Sequence, residues 1–181
     1  MTQSLSDSKI LDTIGTDPEA GFRMLLKIYK MPVYWHIRRI TVAHQDAEDA
    51  LQETFLRVFK NLGKFKKEMS LAAWIFKIAT NEAIRIRKKH KEHAFSFDDM
   101  ESEAKRIMAD EYFDYSDIES LKLQKAILSL PPKQQLTFNL RYYDEFYYVT
   151  IAQITDSSTA SAKANYHLAK EKIIHYMNTH D

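Results

Sequence analysis

Apolar side chains recur at intervals of three and four positions across residues 46–91, in two runs separated by a short lysine-rich loop. This spacing places the apolar side chains on one face of an α-helix. The first run contains Ala47, Ala50, Leu51, Phe55, Val58 and Leu62, and the second contains Leu71, Trp74, Ile75, Ile78 and Ala79. The segment therefore predicts two amphipathic helices, the first capped by Asp46 and the second by Ser70.

Helical spacing continues on both sides of this segment and predicts an all-α fold. Residues 1–15 are polar and are expected to be frayed, one helix is expected over residues 18–29, and another after Pro32, with Arg38 and Arg39 facing solvent. These helices complete a four-helix N-terminal domain over residues 1–91. The chain has only three glycines and four prolines, so it lacks the frequent turn residues that a β-sheet protein would need between its strands.

The C-terminal segment predicts a helix-turn-helix over residues 120–181. One helix ends at Leu130, Pro132 begins the next, and a short helix and a tight turn precede a longer helix that starts near Ser158. In that last helix Ala162, Tyr166, Ala169 and Ile173 form the buried stripe. The residues expected to contact a DNA groove are Ser158, Thr159, Ser161, Lys163, Asn165, His167 and Lys170.

The net charge of +1 conceals two oppositely charged segments. Residues 60–91 contain ten basic residues against two acidic ones, whereas residues 92–119 contain ten acidic residues against two basic ones. Such asymmetry indicates a nucleic-acid-facing patch beside a separate acidic linker over residues 92–119. The linker is either a solvated tether or an imitation of nucleic acid inside a basic channel.

Two polar helix faces are candidate binding surfaces. On the first helix, Asp49, Gln52, Glu53 and Leu56 share a face, and spacing alone favours a solvated surface with one exposed leucine. On the second helix, a row of basic and amide side chains lies beside aromatic residues, as in single-strand nucleic-acid sites. Aromatic residues at helical spacing also commonly pack in a core.

Two pairs of motifs resemble bacterial sigma factors of the extracytoplasmic-function group, the polymerase subunits that select promoters. D-A-E-D-A-L-Q-E-T-F-L-R-V-F from Asp46 and A-W-I-F-K-I-A-T-N from Ala73 resemble sigma region 2. L-P-P-K-Q-Q-L-T-F-N-L-R-Y-Y-D-E-F from Leu130 and S-A-K-A-N-Y-H-L-A-K-E-K-I from Ser161 resemble region 4. The resemblance covers nearly the whole chain in the expected order.

The resemblance implies a sigma factor that directs core RNA polymerase to promoters. It implies docking of Asp49, Gln52, Glu53 and Leu56 on the clamp coiled coil, and minus-thirty-five recognition and flap binding by the C-terminal domain. Combined with the basic helix face, it gives a site for the melted minus-ten strand formed by Phe65, Lys66, Lys67, Trp74, Phe76, Lys77, Asn81, Arg85 and Lys88. An anti-sigma factor is an implied partner.

The chain departs from the family pattern in the helix-turn-helix. Asp156 stands where many members have a glycine in the turn, and Asn165 and Leu168 stand where many have arginines. Fewer guanidinium groups make fewer phosphate contacts. We therefore expect weak promoter binding by the isolated C-terminal domain, with a shallow salt dependence.

Other chemistry has little support in the sequence. The chain has no cysteine, no Gly-rich phosphate loop and no nucleophile elbow, and the spacing of His90 and His93 is poor support for a metal site. We expect no enzyme activity, no cofactor, no metal and no membrane contact, and a cytoplasmic location. Two alternatives stay open, a dimeric helix-turn-helix regulator and a sigma-like adaptor that opens no promoter.

Overall fold

The computed structural model describes residues 2–66, 68–93 and 118–180, and the regular structure in these ranges is helical, which confirms the predicted all-α class. Lys67 and residues 94–117 of the predicted acidic linker lie outside the described residues. The helices are α1 (Thr2–Thr16), α2 (Pro18–Thr41), α3 (His44–Asn61), α4 (Leu71–His93), α5 (Ile118–Leu128), α6 (Pro132–Tyr142), α7 (Tyr148–Thr155) and α8 (Thr159–Thr179).

Helices α1–α4 form the N-terminal half, in which α2 packs against the other three and α3 packs against α4. The apolar faces predicted for the two central helices lie inside this bundle, with Ala47, Val58 and Ile75 fully buried. A short 3₁₀ turn (Leu62–Lys64) follows α3 and directs the chain toward α4. The predicted four-helix arrangement is present, although its first two helices differ from the prediction.

The N-terminal segment is a helix, so the expectation of a frayed stretch over residues 1–15 is wrong. Ile10 of α1 is fully buried in the bundle, and the Tyr29 hydroxyl donates a hydrogen bond to Asp7 Oδ1 at 2.6 Å. Gly21 allows this close approach, because a Cβ at this position would lie 2.7 Å from the backbone nitrogen of Ile14. Ile10, Leu11 and Ile14 pack into the bundle from α1, but three apolar residues among polar ones are too weak a periodic signal to predict such a helix.

Helix α2 continues through Pro32, which was predicted to separate two helices. Asp17 caps its start by accepting the N–H of Ala20 at 3.0 Å, and Pro18 occupies the first turn as expected. A proline inside a helix removes one backbone hydrogen bond and usually costs about 3 kcal/mol. The buried stripe of Leu25, Tyr29, Val33, Ile37 and Ile40 crosses Pro32 without interruption, and its packing offsets that cost.

Two further local predictions had different outcomes. Helix α3 begins at His44 with Ala43 as its N-cap, three residues before the predicted cap, so Asp46 lies in its first turn. The carboxylate of Asp46 there still favours the helix dipole. Ser70 does cap α4, because its hydroxyl accepts the N–H of Ala73 at 3.1 Å.

Helices α5–α8 form the C-terminal half, and α7 and α8 form the predicted helix-turn-helix. Ser158 caps α8 by accepting the N–H of Ser161 at 3.0 Å. Asp156 ends α7 in the left-handed conformation, with φ of 50°. Glycine is the usual residue in this conformation, and aspartate is one of the few others that tolerate it. The turn of the helix-turn-helix therefore keeps the usual left-handed conformation although Asp156 replaces the glycine.

The two halves contact each other through α7 on α4 and α6 on α2. The main core, which is the buried apolar cluster of the N-terminal half, extends into the C-terminal half through Leu140 of α6 and through Ile151, Ile154 and Ala162 of the helix-turn-helix. A separate C-terminal core contains Ala126, Ile127, Leu130, Phe138, Ala169 and Ile173. Arg39, predicted to face solvent, is largely covered because it pairs with Asp144 of the C-terminal half, and Arg38, also predicted to face solvent, is buried.

Candidate nucleic-acid interface

The outer face of α3 presents the four predicted docking residues to solvent to different degrees. Asp49 and Gln52 are exposed, and Glu53 is half-buried. Leu56 is 51% exposed and is not isolated, because Phe59 beside it is 47% exposed. The sequence prediction missed Phe59, which lies at the edge of the buried stripe one turn after Phe55.

Leu56 and Phe59 line a groove of about 570 Å³ between α2 and α3. Phe22 of α2 packs its ring edge-on against Phe59, with 5.0 Å between ring centroids. The groove has an apolar floor, and Glu19, Arg23 and Gln52 lie at its rim. An apolar patch with a polar rim is the usual composition of a protein-binding surface.

A second hollow, of about 360 Å³, lies between α3, the 3₁₀ turn and α4. Trp74 and Asn81, two of the predicted minus-ten residues, line it together. The Phe65 ring packs against Trp74 at 5.2 Å between centroids. Trp74, Ile78 and Asn81 are three and four positions apart, so they share one face of α4. The structure thus brings the predicted aromatic residue Trp74 and the predicted amide residue Asn81 to the same concave surface.

A buried carboxylate positions the cations at this hollow. Glu82 is 4% exposed, forms an ion pair with Arg57 at 2.7 Å between Oε1 and Nε, and accepts a hydrogen bond from Arg85 Nε at 2.9 Å. Lys64 also lines the hollow, so its charged groups sum to a net positive charge. The sequence analysis identified Arg85 but missed Arg57, Lys64 and Glu82. The remaining lining residue that it missed is Asn61.

Phe76, predicted to belong to the same site, does not share a surface with Trp74 in this structure. Two positions along an α-helix correspond to a rotation of about 200°, which places Phe76 on the opposite side of α4. There it is 4% exposed and packs edge-on against Phe146 of the C-terminal half, at 4.8 Å between centroids.

The other predicted minus-ten residues are dispersed. Lys77 forms an ion pair with Asp156 of the helix-turn-helix turn, with 2.5 Å between Nζ and Oδ1. Lys88 lines a separate cavity between the two halves. Lys66 is exposed at the loop, and Lys67 lies outside the described residues. The basic face read from the sequence therefore divides into an open hollow and a part that faces the C-terminal half.

The predicted recognition residues of α8 have mixed exposure. Lys163, His167 and Lys170 are exposed, and His167 Nε2 lies 3.2 Å from Glu171 Oε1. Thr159, Ser161 and Asn165 are half-buried, and the Asn165 side-chain amide donates to Ser161 Oγ at 3.3 Å. The Ser158 hydroxyl already serves as the helix cap. The accessible charge of this surface comes mainly from two lysines.

A polar junction joins the halves at Asp144. His36 Nδ1–H donates to Asp144 Oδ2 at 2.7 Å, and His36 Nε2 hydrogen-bonds Thr80 Oγ1 at 2.8 Å. The Arg39 guanidinium forms an ion pair with the other oxygen of Asp144 and lies 4.6 Å from the centre of the Tyr143 ring. Burial lowers the pKa of Arg39, and the charge of Asp144 opposes this shift. The sequence analysis did not identify this junction.

Among the described residues, no group of three or more His, Asp or Glu side chains is arranged to hold a metal ion. None of the helices in those ranges is both long and apolar enough to cross a membrane.

Comparison with known proteins decides the family. The family model of Sigma-70 region 2 matches residues 25–93, and that of Sigma-70 region 4 matches residues 120–173. The ECF RNA polymerase sigma factor SigW of Bacillus subtilis (strain 168) is 30% identical over 174 residues, which cover 91% of this chain and 93% of SigW. The chain belongs to the ECF RNA polymerase sigma factors. It is a subunit that directs RNA polymerase to promoters.

Other relatives agree with this assignment. The ECF RNA polymerase sigma-E factor of Escherichia coli (strain K12) is 24% identical, with 96% of this chain and 95% of that protein covered. Membership of the ECF sigma factors over nearly the whole length confirms the family resemblance read from the motifs. It also removes the support for a dimeric regulator that does not dock on polymerase.

Solved structures share the fold of this sigma factor. CnrH, in a complex with the cytosolic domain of CnrY, superposes with a TM-score of 0.73 at 14% identity, covering 97% of this chain and 99% of CnrH. The sigma factor RpoE of Bartonella quintana, in a complex with the anti-sigma factor NepR, gives a TM-score of 0.67 at 18% identity, with 88% and 98% covered. The contact between the two halves thus occurs within a known fold.

Proposed function

We propose that this sigma factor docks on core RNA polymerase through α3, holds an unpaired minus-ten base in the Trp74 hollow, and reads the minus-thirty-five duplex with α8. The observation that carries the proposal is the open hollow in which an aromatic ring, amide side chains and the cations Arg57 and Lys64 meet. The division into residues 1–91, 92–119 and 120–181 is the proposed domain organisation, and the protein acts without enzymatic activity or a cofactor.

The docking surface extends beyond the polar residues identified from the sequence. Asp49, Gln52 and Glu53 supply hydrogen-bonding groups that select a polar partner helix. Leu56 and Phe59 supply the buried anchor that an interface needs for affinity, because energetically dominant contacts are apolar and surrounded by polar groups. The clamp coiled coil of core polymerase is the proposed partner.

The hollow suits a single unpaired base. An unpaired base stacks on an aromatic ring such as that of Trp74, and its polar edge can exchange hydrogen bonds with Asn81. Arg57 and Arg85, oriented by Glu82, lie where they can contact the flanking phosphates. Phe65 supports the Trp74 ring from the side.

The C-terminal half contributes a weaker contact. Lys163 and Lys170 offer two exposed cations to a duplex, which supports the expectation that the isolated domain binds promoter DNA weakly and with a shallow salt slope. Two modest DNA sites on one polymerase act together through effective concentration. We also propose the polymerase flap as a further contact of this half.

Two further proposals concern the partner and the compartment. An anti-sigma factor is the proposed inhibitor, supported by the complex of RpoE with NepR that shares this fold. Transcription by cellular RNA polymerase places the proposed site of action in the cytoplasm.

The test uses full-length protein with core polymerase from its own source and a promoter fragment. Leu56→Ala/Phe59→Ala is expected to lose co-elution with core polymerase, whereas the control Met31→Ala, an exposed apolar residue outside the groove, binds normally. Trp74→Ala and Asn81→Ala are expected to bind polymerase but to leave the minus-ten strand unreactive to permanganate.

Circular dichroism establishes that each variant is folded, and Asn178→Ala, an exposed residue of α8, is the control for Asn81→Ala. Normal promoter opening by both Trp74→Ala and Asn81→Ala would remove the hollow from the mechanism. Polymerase binding without promoter opening by the wild type would instead favour the sigma-like adaptor.

A further inference from the structure

A cavity of about 270 Å³ lies between the two halves, where α2 and α4 face α6. Its apolar wall is formed by Ile40, Ile84, Pro132 and Leu136. The cavity is distinct from the hollow of Trp74 and from the groove of Leu56. Its size is near the lower limit of small-molecule sites, which suits a ligand of about ten non-hydrogen atoms.

Two buried amide side chains line this cavity without satisfying their hydrogen-bonding capacity. Asn139 is 1% exposed, and neither its Oδ1 nor its Nδ2 hydrogen-bonds to any described residue. Gln135 is 4% exposed, and its Nε2 is likewise without a partner among the described residues. Buried side-chain amides in folded proteins are nearly always paired, so this pair indicates an occupant with complementary groups.

The remaining polar groups at the cavity are positively charged. Arg87 Nη1 donates to Gln135 Oε1 at 3.2 Å, which fixes the orientation of that amide and leaves Nε2 as its free donor. Lys88 also lines the cavity, and no carboxylate of the described residues does. Two amide donors beside a guanidinium and an ammonium group favour an anionic head group with several acceptor atoms.

The acceptor of Asn139 adds a second requirement. Its Oδ1 needs a donor, which a carboxylate lacks but an adjacent hydroxyl group supplies. The apolar wall needs an aliphatic body. We propose that this cavity binds a small aliphatic hydroxycarboxylate, with its carboxylate at Asn139 Nδ2 and Gln135 Nε2 beside the ammonium group of Lys88, and its hydroxyl at Asn139 Oδ1.

Such a ligand has a consequence for the contact between the halves. The cavity exists only while α6 lies against α2 and α4, so the ligand binds this arrangement and not a separated one. By mass action it stabilises the contact between the halves and opposes their separation. Binding itself does not depend on polymerase or promoter DNA, so its failure is distinguishable from failure of the proposed function.

The probe is 3-hydroxyoctanoate, titrated into full-length protein and followed by isothermal titration calorimetry and by the thermal midpoint. Saturable one-to-one binding with a raised midpoint is expected. Octanoate lacks the hydroxyl and 1,3-octanediol lacks the carboxylate, so each is expected to bind at least about tenfold more weakly.

The variants assign the binding to this cavity. Asn139→Leu replaces both amide atoms with methyl groups on the same branched skeleton and is expected to weaken binding at least about tenfold. Ile84→Trp fills the space and is expected to abolish binding, and Leu136→Phe serves the same purpose if Ile84→Trp does not fold. The matched control, Asn178→Leu at an exposed site of α8, is expected to bind as the wild type does.

Three results would overturn the proposal. One is the absence of saturable binding together with a higher thermal midpoint for Asn139→Leu, which would mean that only water occupies the cavity. Another is unchanged affinity in both Asn139→Leu and the cavity-filling variant. The third is equal affinity for 1,3-octanediol, which would exclude the anionic head group.

Discussion

The two cores of this sigma factor differ in size and in what they hold together. The main core gathers buried residues of α1–α4 and continues into the helix-turn-helix through Ile151 and Ile154. The C-terminal core contains six buried residues, all from α5, α6 and α8 and the residues adjoining them. The helix-turn-helix therefore rests partly on the N-terminal half. This difference indicates that the C-terminal half depends on the contact for part of its stability.

The two kinds of contact between the halves also differ. Ile151 and Ile154 provide apolar burial that tolerates small shifts, whereas Asp144 must meet His36 and Arg39 in one geometry. Hydrophobic burial supplies most of the free energy, and the buried polar junction sets the relative placement of α2 and α6. The four predictions that follow separate these contributions.

Ile75→Ala in the main core is expected to have the largest effect. Ile75 is fully buried, so truncation should lower the free energy of unfolding by about 3–4 kcal/mol. Urea unfolding is followed by tryptophan fluorescence, which reports only on the N-terminal half because both tryptophans, Trp35 and Trp74, lie there, and by circular dichroism, which reports on all helices. Coincident transitions are expected in the wild type.

Ile174→Ala, at an exposed position of α8, is the control and should leave the midpoint nearly unchanged. If Ile75→Ala shifted the fluorescence transition but left the dichroism transition of the C-terminal helices in place, the two cores would be independent.

Asp144→Ala is expected to have the next largest effect, about 2–3 kcal/mol, because it leaves His36 and Arg39 covered without their shared acceptor. Since the loss falls on the contact, the fluorescence and dichroism transitions should separate. Glu171→Ala removes an exposed carboxylate of α8 and serves as the control. A single unshifted transition in Asp144→Ala would show that apolar burial alone holds the halves together.

Substitutions at Asp156 separate backbone conformation from ion pairing. Asp156→Gly is expected to be more stable than Asp156→Ala by about 1 kcal/mol, because φ is 50° here. Asp156→Asn keeps an αL-tolerant residue and removes only the half-exposed pair with Lys77, which should cost at most about 0.5 kcal/mol. Equal stability of the glycine and alanine variants by urea unfolding would contradict a left-handed turn.

Asp7→Asn should have the smallest effect on the free energy of unfolding, and it should raise that free energy where the other substitutions lower it. Burial raises the pKa of Asp7, while the Tyr29 hydrogen bond opposes this. When a carboxyl group has a higher pKa in the folded state than in the unfolded state, the folded protein loses stability as the pH rises from the lower pKa through the higher one. Asparagine keeps the acceptor without the charge, so at pH 7 the variant should be more stable by about 0.3 kcal/mol, allowing for solvent screening.

The added stability of Asp7→Asn over the wild type should shrink as the pH is lowered toward 4, because the Asp7 carboxyl group of the wild type then becomes protonated. Urea midpoints measured at pH 7 and pH 4.5 test this. A variant less stable than the wild type at pH 7 would mean that the carboxylate is the better partner for Tyr29.

The helical faces and the helix-turn-helix were predictable from sequence because they depend on local periodicity. Trp74 and Asn81 share a face for the same reason, and Ser70 and Ser158 follow ordinary capping chemistry. Pro32 misled the prediction because tertiary packing offset a local penalty. Phe76 was included through the family resemblance, and only the rotation of α4 shows that it lies on the side opposite Trp74.

Long-range pairs were beyond prediction. Asp144 is 108 positions from His36, and no periodic signal connects them. Arg57 and Glu82 likewise lie on different helices, and their pairing depends on how α3 crosses α4. The depth of the Trp74 hollow and the cavity at Asn139 both follow from such crossings. Sequence pattern thus located the surfaces, but the tertiary contacts determined their shape.

The pairing of Glu82 with Arg57 and Arg85 also affects the entropy of any complex formed at the hollow. A free arginine side chain has about 2 kcal/mol of rotamer entropy to lose when it becomes ordered. Here Glu82 restricts both arginines as soon as the bundle forms. Much of that ordering therefore accompanies folding, and a DNA strand that enters the hollow meets side chains already close to their bound conformations.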